Sequence, residues 1–419
     1  MKHNLLLKIF LVSLFVRLIF LAVMPPRPVH WDDTLSWDAV ANNLANGRGF
    51  LEADGTPTSI RAPVYPIILA FLYLLFGHNF LSIKIFQAVA GSATVVVLYL
   101  ISRGILGAKK TDGSHTAGHD GTMLPALGMD IPVITALLLA VYPPLVVYTH
   151  IIGTETLYIF LMSVWVYCIL TGLKYRDRFI LLCGGFVLGV SNLCRSTAIF
   201  YPFFLAAAIF LVMPAKETFR KRTVELVLFI LISLLPVLPW TLRNYRTFDR
   251  FLLVNTSAGE LFWAGTYLPW DGLAITDRDP YFWERFGKIK NPVDGEKEMF
   301  REGIRNIREN PSGFMKLTVK KFVRFWFQPV GQSLVAERSK KIGIAMYLFH
   351  FVWLAMACFG FIKSKQYRLD YLPVTVLFVY FTVMHNVITS VARYRLPIEP
   401  YIMFFAVYGL MGIKDKILK

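Results

Sequence analysis

The strongest constraint on this 419-residue chain is its series of apolar runs long enough to cross a lipid bilayer. About 30 Å of hydrocarbon calls for about 20 helical residues. Ten runs approach or reach that length, at roughly 5–24, 80–102, 131–149, 156–172, 179–194, 197–213, 224–242, 343–362, 369–389 and 396–413. With 56% hydrophobic and 17% charged residues and a mean hydropathy of +0.53, the chain lies outside the usual soluble composition. In hydrocarbon every backbone amide needs an internal partner, so the expected fold is an all-α polytopic membrane protein of about ten transmembrane helices. The first run ends in "MPPRP" without a small-residue cleavage site, so it is expected to be a retained helix and not a signal peptide. An eleventh run, Tyr65 to Phe76, is short and opens with Pro63 and Pro66, as a juxtamembrane or re-entrant helix would.

Charge orients these spans. The chain has 44 Lys and Arg against 27 Asp and Glu, a net +17. With the N-terminus cytoplasmic, each segment on that side is basic: Lys2 and Lys8; Arg103, Lys109 and Lys110; Lys174, Arg176 and Arg178; Lys216 to Arg222; Lys363, Lys365 and Arg368; Lys414, Lys416 and Lys419. This is the positive-inside pattern, so the excess charge is read as topology and not as a nucleic-acid surface. It predicts an integral plasma (inner) membrane protein with both termini cytoplasmic. The chain is treated as a single domain, 1–419, with two long outer segments, 25–79 and 243–342. The Gly-rich loop 111–130 reads as a cytoplasmic connector, and its His115 and His119 lack the acid or cysteine partners of a metal site. The four cysteines, Cys168, Cys183, Cys194 and Cys358, fall in or beside spans and read as packing residues.

The second outer segment contains "ENPSGFMKLTVKKFVRFWF". Asn310 suits the N-cap by residue type, Pro311 suits the first helical position, and Phe314, Leu317, Lys321, Phe322 and Phe325 recur at helical spacing. With Lys316, Lys320 and Arg324 among them, a basic amphipathic helix seated at the headgroup interface is expected. Trp263, Trp270 and Trp283 are read as core of this segment in preference to a stacking surface, and "NTS" at Asn255 matches a glycosylation acceptor. Gly185 and Gly189 have the small-xxx-small spacing of helix packing.

Ionisable residues gather at the outer boundary: Asp32, Asp33, Asp38 and Glu155, with Arg61, Arg195, Arg393 and Arg395. Such residues at membrane depth are costly and mark function. Guanidinium groups suit phosphate oxygens, and a carboxylate beside them can take a proton from an incoming hydroxyl.

In order along nearly the whole chain, "DDTLSWDAVANNLANGRGF", "GTPTSIRAPVYPIILAFLYLLFG", "GTETLYIF", "LCRSTAIFYP", "LPWTLRNY" and "RYRLPIEPY" resemble the GT-C fold membrane glycosyltransferases. The resemblance is to the group around glycosyltransferase family 39, which includes the protein O-mannosyltransferases and has the lipid A aminoarabinose transferases as cousins. It implies a hexosyl- or pentosyl-type glycosyltransferase that moves a sugar from a polyprenyl-phosphate donor to a lipid, glycan or protein acceptor at an extracytoplasmic active site, with inversion. It places the signature acid at Asp33, with Trp37 at plus four where tyrosine is usual and Ala41 at plus eight; Asp32 is the alternative. Glu155 matches the second acidic position. Arg61, in the same motif as Tyr65, and Arg195, Arg393 and Arg395, with Tyr394 between the last two, match the carrier-phosphate contacts. Asp38, one turn on, is expected to support the helix. Where some relatives place a metal-binding acid, this chain has Ile60, so no metal site is carried over and a divalent ion is left open as the only cofactor option. The rival reading from another class is a transporter or flippase of a lipid-linked sugar or other anionic lipid, which would show internal repeats and midplane charges.

Overall fold

The computed structural model describes residues 2–24, 32–106, 123–124, 129–212, 219–274, 279–331 and 340–417. Most of the 111–130 connector, with His115 and His119, lies outside the described residues, as does the side chain of Asp32. The described residues are predominantly helical: α1 (Lys2–Val23), α2 (Asp32–Ala45), α3 (Val64–Phe76), α4 (Phe80–Leu106), α5 (Ile131–Val141), α6 (Pro143–Val147), α7 (Glu155–Tyr175), α8 (Arg178–Asn192), α9 (Tyr201–Val212), α10 (Phe219–Leu234), α11 (Val237–Phe248), α12 (Ser257–Thr266), α13 (Pro280–Phe286), α14 (Pro292–Glu309), α15 (Pro311–Phe327), α16 (Lys340–Lys363), α17 (Leu372–Val387) and α18 (Glu399–Ile417). Among the described residues the only named strands are the two-residue pair Met123–Leu124 and Met129–Asp130.

Every apolar run expected to span is helical, but not all reach crossing length. Asn4–Val23, Phe80–Leu106, Glu155–Tyr175 and Lys340–Lys363 do, and α10 with α11, bent by 46° at Pro236, makes a fifth. Ile131–Val141, Arg178–Asn192, Ser196–Val212 and Leu372–Val387 are shorter apolar helices. The run expected at 131–149 is broken at Tyr142, because Pro143 and Pro144 cannot continue a helix and start α6 instead. The eleventh run forms the 13-residue α3, which packs on α2 through Asp38: its carboxylate accepts from Tyr73 Oη at 2.5 Å and contacts His78 Nε2 at 2.7 Å.

Local chemistry sets the helix ends. Asp130 caps α5 by accepting from Val133 N, and Asp177 caps α8 by accepting from Ile180 N. Between α7 and α8 only Arg176, at φ 54°, and Asp177 intervene, so the two helices form a tight antiparallel hairpin. Gly189 lets α8 approach α10; a Cβ there would run into the Ser233 carbonyl oxygen. Several buried hydroxyls on the spans are satisfied within their own helices: Ser92, Thr94, Ser102 and Ser163 each donate to the carbonyl four residues back.

Residues 148–154 are buried and leave regular helix. At membrane depth such backbone survives only where protein supplies its partners. Gln87 Nε2 donates to the carbonyls of Thr149 and Ile151, and Thr34 Oγ1 donates to that of Ile152. This stretch delivers Glu155 to the first turn of α7, at the same end of the bundle as α2.

In the second long segment, Asn310 accepts from Gly313 N and Pro311 starts α15, as the sequence predicts. The bases on this helix serve the protein more than a headgroup layer. Lys321 is fully buried and donates to the carbonyls of Gly265 and Ile388, while Lys320 and Arg324 pair with Asp271 at 2.8 and 2.9 Å. The exposed face mixes apolar Met315, Val319, Phe322 and Val323 with Lys316 and Lys320. Trp263 and Trp270 are buried with Phe282 and Phe286 in this segment's own core, whereas Trp283 is exposed. The Asn255 amide is committed to the Ile60 carbonyl and Ser257, which leaves the glycosylation motif engaged in packing.

Helix α12 docks on α14 through Glu296, whose Oε1 accepts from Gly259 N at 2.9 Å. Burial pushes the Glu296 carboxyl up to about 7, with Glu260 adding repulsion and the Gly259 amide partly opposing. Because the folded value exceeds the unfolded 4.5, the stabilising term is complete below 4.5 and is lost as pH rises toward 7. Its upper bound is about 3 kcal/mol. Protection factors of amides in α12 and α14, that is, exchange rates corrected for the intrinsic pH dependence, should therefore be higher at pH 5.5 than at pH 8, and Glu296→Gln should flatten that difference. An unchanged pH slope in the variant would remove Glu296 as the cause.

Candidate active site

The site forms where the first turn of α2, the loop before α3, the start of α7, the segment after α8 and the 3₁₀ stretch Ala392–Ile398 meet. Each contributes one charged side chain, and the charges alternate. Arg61 Nη1 lies 2.9 Å from Asp33 Oδ1, and Arg393 Nη2 lies 3.6 Å from Asp33 Oδ2. Arg393 Nε donates to Glu155 Oε1 at 2.6 Å, and Arg195 Nη1 reaches the same oxygen at 3.0 Å. Five of the residues singled out by sequence, Arg61, Asp33, Arg393, Glu155 and Arg195, thus form one chain in which Asp33 and Glu155 are linked through Arg393.

Exposure separates the two acids. The Glu155 side chain is 2% exposed and enclosed by two arginines; that of Asp33 is 46% exposed. Glu155 is therefore placed to hold Arg195 and Arg393, and Asp33 to meet a molecule from outside.

Aromatic rings fix the arginines from the other side. The Arg61 guanidinium lies 4.6 Å from the Trp37 ring centroid, and Arg195 lies 5.5 Å from that of Tyr394. Tyr394 in turn stacks on His385 at 4.8 Å, and His385 on Phe325 of α15 at 5.5 Å. Tyr65 is fully buried: its hydroxyl donates to Gln87 and its ring meets Trp37 edge-on, so it supports the site from beneath.

Arg395 departs from the expected clamp. It is 0% exposed, pairs with Glu399 at 2.6 Å, and donates to the carbonyls of Phe325 and Gln328 at the end of α15. Its guanidinium is spent on the fold. Two residues not anticipated from sequence join the site instead. Arg61 Nε donates to Ser36 Oγ at 2.8 Å, and Ser36 donates to Glu52 Oε2 at 2.8 Å. Ser36 had a readable signal, one helical turn after Asp33; Glu52, in the turn at 51–57, had none.

Among the described residues no three His, Cys, Asp or Glu side chains converge as a metal site would require. The four cysteines are unpaired thiols.

Residues 125–240 match the family described as dolichyl-phosphate-mannose-protein mannosyltransferase. No curated protein matches the chain in sequence. In fold the chain is similar to the oligosaccharyltransferase of Archaeoglobus fulgidus in its complex with Zn and sulfate, at TM-score 0.55 and 14% identity, covering 99% of this chain and 49% of that one. The same enzyme tethered to an acceptor peptide gives 0.54 and 12%, covering 98% and 50%. ArnT from Cupriavidus metallidurans bound to undecaprenyl phosphate gives 0.44 and 13%, covering 98% and 77%. The chain spans about half the length of the oligosaccharyltransferase it resembles. The protein is thus an integral membrane protein with the GT-C fold of membrane glycosyltransferases, and residues 125–240 carry the sequence pattern of the mannosyltransferase family.

Proposed function

We propose that the protein transfers a sugar from a polyprenyl-phosphate donor to an acceptor hydroxyl at the extracytoplasmic face of the plasma membrane. The observation that carries this reading is the half-exposed Asp33 carboxylate lying between Arg61 and Arg393. A proton acceptor and a pair of phosphate-binding forks share one site. Asp33 takes the proton of the acceptor hydroxyl as its oxygen attacks the anomeric carbon; the bond from that carbon to the phosphate oxygen breaks, and the arginines receive the leaving phosphate. Attack opposite the leaving group inverts the anomeric centre. The leaving phosphate is stable as an anion, so no general acid is needed. Glu155 keeps Arg195 and Arg393 aimed, and Tyr394 and Trp37 hold the guanidinium planes. The name of the matched family supports a polyprenyl-phosphate-sugar donor. The basic residues gathered in alternate inter-span segments, the positive-inside pattern, support an extracytoplasmic site with both termini cytoplasmic.

Mass spectrometry of lipid-linked sugars in cells with and without the protein tests the reaction. Loss of the protein should leave a polyprenyl-phosphate monosaccharide accumulating and one envelope component lacking that sugar. Unchanged pools of both would contradict the proposal. Arg393→Gln should weaken binding of undecaprenyl phosphate to the purified protein about ten-fold, the factor for a lost charge-assisted contact of about 1.4 kcal/mol. Equal affinity would remove Arg393 from the phosphate site.

A further inference from the structure

Every arginine at the site is already engaged by a carboxylate. Arg61 faces Asp33, Arg393 faces both Asp33 and Glu155, and Arg195 faces Glu155. Asp33 lies between Arg61 and Arg393, so a phosphate that bridges the two guanidinium groups on that side takes the place of its carboxylate. Which acid gives way follows from burial and from what each arginine would keep. Glu155 is 2% exposed, and its departure would strand two guanidinium groups. Asp33 is the exposed member. When it leaves, Arg61 retains the Ser36 hydroxyl and the Trp37 ring, and Arg393 retains Glu155.

We infer that Asp33 is the resident ligand of the phosphate site, and that the donor's phosphodiester displaces it by exchanging one anion for another on Arg61 and Arg393. The inference rests on the polyprenyl-phosphate reading above and adds an order to it. In the resting protein the carboxylate of Asp33 is turned toward two guanidinium groups and not toward an acceptor. Arrival of the donor phosphate engages those cations and frees Asp33 beside the acceptor. The donor binds first, and the base becomes competent only when a sugar is in place, which protects the site from futile proton transfer. After transfer, Asp33 passes the acceptor's proton to water, and return of the regenerated carboxylate to its arginines assists departure of the carrier phosphate.

The experiment is equilibrium binding of undecaprenyl phosphate to the full-length protein in nanodiscs, comparing wild type with Asp33→Asn and Asp33→Ala. Removing the resident carboxylate should tighten binding about five-fold, the factor that corresponds to about 1 kcal/mol for a partly exposed ion pair. Affinity that is equal or weaker in the variants, with saturable binding to wild type, overturns the exchange and leaves the proposed reaction standing. Absence of binding to all three proteins overturns both. A measurement on wild type alone guards against misfolded variants: carbodiimide labelling of the Asp33 carboxyl, read by peptide mass spectrometry, should rise when undecaprenyl phosphate is added. Labelling that stays constant or falls contradicts displacement.

Discussion

Asp33→Asn abolishes proton acceptance and should lower turnover by about 10²- to 10⁴-fold, the range general-base catalysis contributes. The change is nearly isosteric and the side chain is 46% exposed, so the fold should be little affected. Binding of the carrier phosphate should persist, because Arg61 and Arg393 remain held by Ser36 and Glu155. Steady-state transfer from a polyprenyl-phosphate sugar, measured beside carrier affinity, separates the two effects. A variant with wild-type turnover would exclude Asp33 as the base, and one that loses binding together with turnover would make it a structural residue of the clamp.

Arg395→Leu should act on the fold. Its guanidinium is buried with Glu399 and also supplies hydrogen bonds to the carbonyls of Phe325 and Gln328. Removing one member of such a pair leaves a buried, uncompensated carboxylate, at about 3–5 kcal/mol. The expected result is a large fall in unfolding temperature and in the amount of protein recovered from membranes. Replacing Arg395 and Glu399 together by Leu and Met should restore much of that loss, since an apolar pair of similar volume removes the stranded charge. If Arg395→Leu unfolds at the wild-type temperature, the buried pair carries little of the stability.

The positions of the helices were legible because apolar runs and helix caps are local. The break in 131–149 was legible too, in Pro143 and Pro144, but a hydropathy count smooths over it. Assigning Arg393 and Arg395 to one clamp failed for a geometric reason. They sit two residues apart in the 3₁₀ stretch Ala392–Ile398, where three residues make a turn, so their side chains leave in different directions. The sign of the second role was in the sequence as Glu399, four residues after Arg395, on the helix that follows. Pairing of Arg393 with Glu155 and of Arg61 with Asp33 joins residues 238 and 28 positions apart, and no periodicity within one segment reports that. The same holds for α15: its spacing gave an amphipathic helix, while only the packing shows that Lys321 is spent on the carbonyls of Gly265 and Ile388.

The resting site also explains why its acids tolerate their location. Asp33 and Glu155 are each within 3.6 Å of two arginines, so neither is an isolated charge near hydrocarbon. That pairing has a counterpart in the inferred exchange, in which a phosphate entering the site replaces one negative charge with another.

An electron cryomicroscopy structure with bound undecaprenyl phosphate tests the account most directly. It should place phosphate oxygens at about 3 Å from the guanidinium nitrogens of Arg61 and Arg393, with Asp33 turned away from both and Glu155 still holding Arg195 and Arg393. A phosphate bound elsewhere, with the Asp33, Arg61 and Arg393 contacts intact, would contradict it.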